Sequence, residues 1–170
     1  MSVPPLTAPE LHALNAALGW LGLGLFVDAQ QELNSLSLPA QTHPRVLDVQ
    51  FAIYGETGAW EAAFAVAETE VKLQPGRSGG WVHRAFAARR RPQGSLEEAF
   101  RLLRPAFDQF PNQVVIPYNL ACYRAQQAQM EEAWQWFAAA LERGQLAPLK
   151  EMALQDNDLK ALWPRIAALK

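Results

Sequence analysis

The side chains best suited to catalysis or metal binding in this sequence are three histidines and a single cysteine. His12, His43 and His83 lie far apart along the chain, and no HExxH, CxxC or glycine-rich phosphate loop accompanies them. Cys122 would need a nearby base to act as a nucleophile, and no histidine is close to it in sequence. We therefore expect all four residues to have structural roles.

An acidic segment near the C-terminus resembles the start of a calcium loop. The segment "DNDLKALWPRI", at 156–166, has Lys160 and Ala161 at positions where such a loop needs a ligand and a glycine. Asp156 is better interpreted as the N-cap of a helix. The sequence thus predicts a protein with no cofactor, no metal ion and no enzymatic activity.

Composition indicates a globular protein. Half of the 170 residues are apolar and 19% are charged, which excludes a disordered chain. One cysteine cannot form an internal disulfide, and the start "MSVPPLTAPE" lacks the basic and apolar regions of a signal peptide. The most apolar run, at 16–27, is shorter than the ~20 residues of a spanning helix. We expect a cytoplasmic protein that does not enter a membrane.

The charge is small overall but unevenly distributed. A net charge of −2 argues against a general nucleic-acid binder. Residues 77–104, however, carry seven arginines against two acids. This local excess predicts a basic patch that could attract an acidic segment of a protein partner.

A sequence pattern recurs four times along the chain. Its central alanine is Ala29, Ala63, Ala99 and Ala133, with spacings of 34, 36 and 34 residues. A small residue precedes each alanine by five positions, and a proline follows twelve positions later in the middle two copies. The two extra residues of the second interval lie in or near "GRSGG" at 76–80. Each copy must therefore stack on a neighbour to bury its apolar face.

The repeated pattern predicts pairs of antiparallel helices. Alanine permits close helix contact, and the preceding glycine, at Gly24, Gly58 or Gly94, ends the first helix of a pair in the left-handed conformation. Ala128 replaces this glycine in the last copy. The predicted helices cover 8–22, 25–37, 44–56, 60–73, 80–91, 95–109, 115–127 and 130–143. Two short amphipathic helices should follow as a C-terminal cap.

This period and residue order resemble the tetratricopeptide repeat (TPR), and the ending "MALQDNDLKAL" is similar to tails of bacterial proteins of that class. The resemblance implies an all-α, right-handed superhelical stack in a single domain, 1–170, and the tail suggests a bacterial origin. The predicted repeats are 10–43, 44–77, 80–112 and 114–146, with the cap at 147–170.

The resemblance also places the first helix of each pair on a concave, partner-binding face. Trp81, Arg84, Arg91 and Tyr118 belong to the residue types that dominate binding hot spots. The alternative for Trp81 and Tyr118 is that the capping helix or neighbouring residues bury them. The first repeat contributes a leucine row that includes Leu14 and Leu18, in a stretch from Leu11 to Val27 without a charged residue. The predicted partner-binding residues are Leu14, Leu18, Trp81, Arg84, Arg91 and Tyr118.

TPR co-chaperones that grip a C-terminal carboxylate use a fixed set of lysine, asparagine and arginine residues. The corresponding positions here hold Leu14, Leu18, Val49, Trp81 and Ala85, so this subclass is disfavoured. The sequence favours a non-catalytic scaffold that binds a peptide or helix of another protein. The alternatives are a secretion-type chaperone for an amphipathic client, a homodimer through the first repeat and, less favoured, an enzyme or nucleic-acid binder.

Overall fold

The computed structural model of the protein describes residues 4–170. The first three residues, which belong to the predicted domain and to the segment compared with a signal peptide, lie outside that range. The described chain is helical and contains no strand. Its α-helices are α1 Ala8–Gly22, α2 Phe26–Asn34, α3 Leu38–Gln41, α4 Pro44–Glu56, α5 Trp60–Leu73, α6 Ser78–Ala88, α7 Leu96–Gln109, α8 Val115–Gln126, α9 Met130–Leu141, α10 Leu146–Gln155 and α11 Trp163–Ala167. A 3-10 helix, Asn157–Leu162, joins the last two.

The chain divides into two compact units, and the boundary falls within α6. Unit 1 ends at His83, and unit 2 runs from Arg84 to Lys170. In unit 1, α1 packs on α2 and α4 packs on α5. In unit 2, α8 packs on both α7 and α9. The predicted pairing of neighbouring helices is therefore present, while the superhelical stack remains a prediction.

The central alanines lie in the interior of the two units. Ala29, Ala63, Ala99 and Ala133 are all fully buried. Around them, leucine and aromatic side chains fill the interior, as Leu33 does in unit 1 and Leu103 and Phe137 do in unit 2. A larger side chain at these positions would overlap its neighbours, since protein interiors are close-packed.

The turns within the helix pairs confirm most of the predicted cap geometry. Gly24 has φ 74° and Gly58 has φ 70°, and Ala128 adopts φ 60° although it carries a Cβ. Gly94 is the exception, because its φ lies outside the left-handed region. A Cβ at Gly94 would overlap the Ala88 carbonyl oxygen, so glycine is needed there for a close approach instead.

Two predicted helices have different bounds in the structure. The second, predicted over 25–37, ends at Asn34, and Ser37 begins the separate short helix α3 by accepting a hydrogen bond from the Ala40 amide at 3.4 Å. The fifth, predicted over 80–91, runs from Ser78 to Ala88. It ends early because the chain turns back there, bringing Gly94 against Ala88.

The C-terminal segment forms three short helices where two were predicted. Asp156 caps the 3-10 helix, as expected, by accepting a hydrogen bond from the Asp158 amide at 2.9 Å. Leu159 and Ile166 are fully buried and attach this segment to unit 2. Among residues 4–170, no helix combines the length and apolar character needed to cross a membrane.

Candidate functional site

Exposed apolar side chains concentrate near the first turn of unit 1. Nine large apolar residues of the described chain are substantially exposed, and six of them lie between residues 18 and 38. Because the first helix lacks charged residues from Leu11 onward, burying one side of it leaves apolar residues on the other. We define the α1–α2 apolar surface as Leu18, Trp20, Leu23, Leu25 and Val27.

A groove continues from this surface between α2, α4 and the start of α5. Its volume is about 360 Å³, and Val27 belongs to both the groove and the α1–α2 apolar surface. Among its lining residues, Gln30 has a buried Oε1 without a hydrogen-bond partner in the described structure. The lining residues are Phe26, Val27, Gln30, Gln31, Asn34, Ile53, Tyr54, Thr57 and Ala59.

The predicted partner-binding residues of unit 1 differ in accessibility. Leu14 is fully buried in the core with Ala17 and Leu33, whereas Leu18 is 43% exposed. Leu14 therefore stabilises unit 1 from inside, and Leu18 is open to a partner. Trp81 is half-buried, and its indole Nε1 donates a hydrogen bond to the Pro75 carbonyl at 3.0 Å.

The predicted binding residues of unit 2 are engaged within that unit. The Arg91 guanidinium forms an ion pair with Glu98 at 2.5 Å, and Arg84 Nη2 donates to the Leu102 carbonyl oxygen at 3.3 Å. Tyr118 is buried, and its hydroxyl donates to Asp156 Oδ2 at 2.9 Å. Of the six predicted residues, Leu18 is the one that presents a largely free apolar surface.

The C-terminal segment covers the part of α8 that carries Tyr118 and Cys122. Asp156 accepts hydrogen bonds from both side chains, at 2.9 Å from the Tyr118 hydroxyl and 3.6 Å from the Cys122 thiol. Burial is the largest cause that raises the pKa of each group, and the Asp156 charge adds to it. Cys122 therefore remains a protonated thiol, which agrees with its expected structural role.

The neighbouring arginines also have partners inside unit 2. Arg89 forms an ion pair with Asp158 at 2.6 Å, and Arg90 lies over the Phe86 ring at 3.4 Å from its centroid. Since these guanidinium groups are anchored, much of the basic patch predicted from the sequence serves the packing of unit 2.

A second polar cluster lies in unit 1 and joins α4, α5 and α6. His83 Nδ1 is 2.8 Å from Glu70 Oε2, and one ligand atom from each of Asp48, Glu70 and His83 lies within 4.8 Å of the others. The His83 ring stacks on Phe51 with centroids 4.0 Å apart. On the outer side, Arg77 pairs with Asp48 Oδ2 at 2.9 Å.

Helix packing explains why Glu70 belongs to this cluster. A Cβ at Gly80 would come 2.8 Å from the Glu70 Cβ, so α5 and α6 approach most closely at this point. His83 follows Gly80 by three residues and therefore lies on the same face of α6. Glu70 is only 4% exposed, and burial raises its pKa even though the His83 interaction opposes that change.

Glu70, Asp48 and Arg124 are not among the partner-binding residues predicted from the sequence. A signal for Glu70 existed, because Ala63, Val66, Ala67 and Glu70 have the i, i+3, i+4, i+7 spacing of one buried helix face. A carboxylate on such a face needs a specific partner. Arg124 is buried too, where it pairs with Glu97 at 2.6 Å and lies over the Phe100 ring.

Comparison with known proteins gives no assignment: no family model and no curated protein matches the chain.

Proposed function

We propose that the protein is a non-catalytic binding module of TPR type that holds an amphipathic helix of a partner protein in the groove beside the α1–α2 apolar surface. The observation that carries the proposal is the concentration of exposed apolar side chains between residues 18 and 38. Contiguous apolar surface of this kind marks interaction sites in folded proteins. The 34-residue register and the left-handed turns at Gly24, Gly58 and Ala128 support the TPR type and its superhelical stacking.

The groove has the features expected for helix binding. Its walls are largely apolar, with Phe26 and Ile53 among the lining residues, and Gln30, Gln31 and Asn34 supply polar contacts. An amphipathic helix inserts its apolar side chains into such a groove and places polar residues at the edge.

The proposed binding surface differs from the one predicted from the sequence. The partner-binding face was expected to include Arg84, Arg91 and Tyr118, but all three have contacts inside unit 2. The proposal therefore places affinity in the apolar surface of unit 1 and does not require an acidic partner segment. A cytoplasmic location remains part of the proposal, supported by the buried, unpaired Cys122.

Charge substitutions on the apolar surface test the proposal. Val27→Glu and Leu23→Glu alter residues that are each 71% exposed, so we expect both variants to fold like the parent. Leu73→Glu, at an exposed leucine outside the groove, is the matched control. Each protein is used to capture partners from the native cell, and bound proteins are quantified by mass spectrometry.

We expect the parent and Leu73→Glu to capture the same partner in similar amounts. Val27→Glu and Leu23→Glu should capture at least about tenfold less of it, the effect of losing a hot-spot contact. Light scattering during size exclusion, over a range of protein concentrations, separates a homodimer from a client complex. A monomer that captures the same proteins in equal amounts with all variants would contradict the proposal.

A further inference from the structure

The strongest remaining feature is the polar cluster of Asp48, Glu70 and His83 in unit 1, which the binding proposal does not use. Its hydrogen bonds account for only one oxygen of the buried Glu70 carboxylate. Oε2 contacts His83 Nδ1 at 2.8 Å, whereas no donor reaches the buried Oε1, and the Asp48 carboxylate lies close enough to Glu70 for the two to share a proton or a cation. Because an unsatisfied buried carboxylate oxygen is costly, this atom indicates that the cluster accommodates a further group.

We propose that Asp48, Glu70 and His83 bind a divalent transition-metal ion of the Zn²⁺ class. The three residues offer two carboxylate oxygens and one imidazole nitrogen within 4.8 Å of one another. Donors at ~2.1 Å from a shared tetrahedral ion lie about 3.4 Å apart, so no pair of these atoms needs to approach by more than roughly 1.4 Å. Three protein ligands leave a fourth position for water or a partner's side chain.

The neighbouring side chains are compatible with a bound ion. Phe51 stacks on the face of the His83 ring, with an interplanar angle of 8°, and therefore leaves the in-plane lone pair of Nδ1 accessible. Arg77 contacts only Oδ2 of Asp48, and both partners of this ion pair are more than a third exposed. Such a pair contributes little stability, so Arg77 can rotate away when a cation arrives.

The donor set also indicates which ion is preferred. Imidazole favours Zn²⁺, Co²⁺ or Ni²⁺ over Mg²⁺ and Ca²⁺, which take oxygen ligands. A bound dication would neutralise the two carboxylates and thereby remove the cost of burying Glu70 in its charged form. The ligating atoms must carry no proton when the ion binds, so affinity should decrease as the pH falls.

Calorimetric titration of the full chain with ZnCl₂, with MgCl₂ as comparison, tests the site. We expect one equivalent of Zn²⁺ to bind, with a rise in the melting temperature, and no comparable binding of Mg²⁺. With Co²⁺, visible absorption bands should appear at the same stoichiometry. Glu70→Gln, Asp48→Asn and His83→Gln should each weaken Zn²⁺ binding at least about tenfold, since even residues behind the ligands have effects of this size.

His12→Ala and Glu56→Gln are the control variants, because both replace an exposed histidine or carboxylate of unit 1 outside the cluster. They should bind Zn²⁺ like the parent. If Glu70→Gln does not fold, Asp48→Asn and His83→Gln still decide the result, because both residues are partly exposed. The proposal is overturned if the parent binds no stoichiometric Zn²⁺, as expected if a proton shared by Asp48 and Glu70 occupies the cluster. It is also overturned if the cluster variants bind as tightly as the controls.

Discussion

Units 1 and 2 use the same helix-pair pattern but treat their polar and apolar surfaces differently. Unit 2 covers Tyr118 and Cys122 with its own C-terminal segment, and Asp156 bonds to both. Unit 1 exposes the α1–α2 apolar surface and buries a carboxylate oxygen of Glu70 that lacks a partner. The repeat pattern therefore determines helix pairing, while residues outside the pattern determine which surfaces are available for binding.

Weakening the packing of the C-terminal segment in unit 2 should have the largest effect on stability. Leu159 belongs to the C-terminal segment and is fully buried, so we expect Leu159→Ala to lower the free energy of unfolding by ~2–5 kcal/mol, since it leaves a cavity. A urea titration followed by circular dichroism measures the change. The same experiment should detect increased exposure of the Tyr118 side chain by its fluorescence response to a quencher.

Met152→Ala provides the control for this change. Met152 lies in the same C-terminal region but is 47% exposed, so its truncation should alter stability by no more than about 0.5 kcal/mol. Equal unfolding midpoints for Leu159→Ala and the parent would mean that the C-terminal segment does not contribute to the core of unit 2.

Much of the fold could be predicted because helix pairing depends on local, periodic signals. The buried alanines Ala63 and Ala99 and the left-handed Gly58 were all expected from the register. The break between α2 and α3 was less accessible, because it depends on the cap formed by Ser37 and on prolines that interrupt the repeat.

The candidate site was harder to predict because it depends on contacts between residues distant in sequence. The repeat pattern placed Tyr118 on an open face, but Asp156, 38 residues later, binds and covers it. Arg89 likewise finds Asp158 through a chain reversal that no local pattern encodes. For Leu14 and Leu18, the sequence identified an apolar helix but not which of the two faces the core.

The buried carboxylate of unit 1 should make stability depend on pH. Glu70 faces Asp48 on α4 and His83 on α6, and Arg77 pairs with Asp48 behind them. Burial raises the pKa of Glu70, so the folded state favours its protonated form. The stability that protonated Glu70 contributes is fully present below the ordinary carboxyl pKa. It is lost as the pH rises through the raised pKa of Glu70 in the folded state.

We therefore expect the melting temperature of Glu70→Gln to fall less than that of the parent when the pH is raised from acidic to neutral. Divalent ions are removed by a chelator in both cases. The effect should be smaller than that of Leu159→Ala, because no cavity is created. Thermal unfolding at a series of pH values measures it. Glu68→Gln, at an exposed position on the same helix, should retain the parental pH dependence. Parallel curves for Glu70→Gln and the parent would show that Glu70 does not titrate differently in the folded state.

The smallest expected effect concerns the turns that the two units share. Unit 1 uses Gly24 and Gly58 at φ near 70°, whereas unit 2 uses Ala128 at φ 60°. A left-handed backbone conformation costs a residue with a Cβ about 1–2 kcal/mol, and replacement by glycine removes this cost. The greater unfolded-state entropy of glycine offsets part of that gain. Because the Ala128 side chain is exposed, its removal sacrifices little packing. Ala128→Gly should therefore stabilise the protein by roughly 0.5–1 kcal/mol, and Gly58→Ala, with open space around the new Cβ, should destabilise it by a similar amount. Thermal melts of both variants measure the two changes. If both substitutions lower the melting temperature, the turn of unit 2 depends on contacts of the Ala128 methyl group, and the two units do not share one turn mechanism.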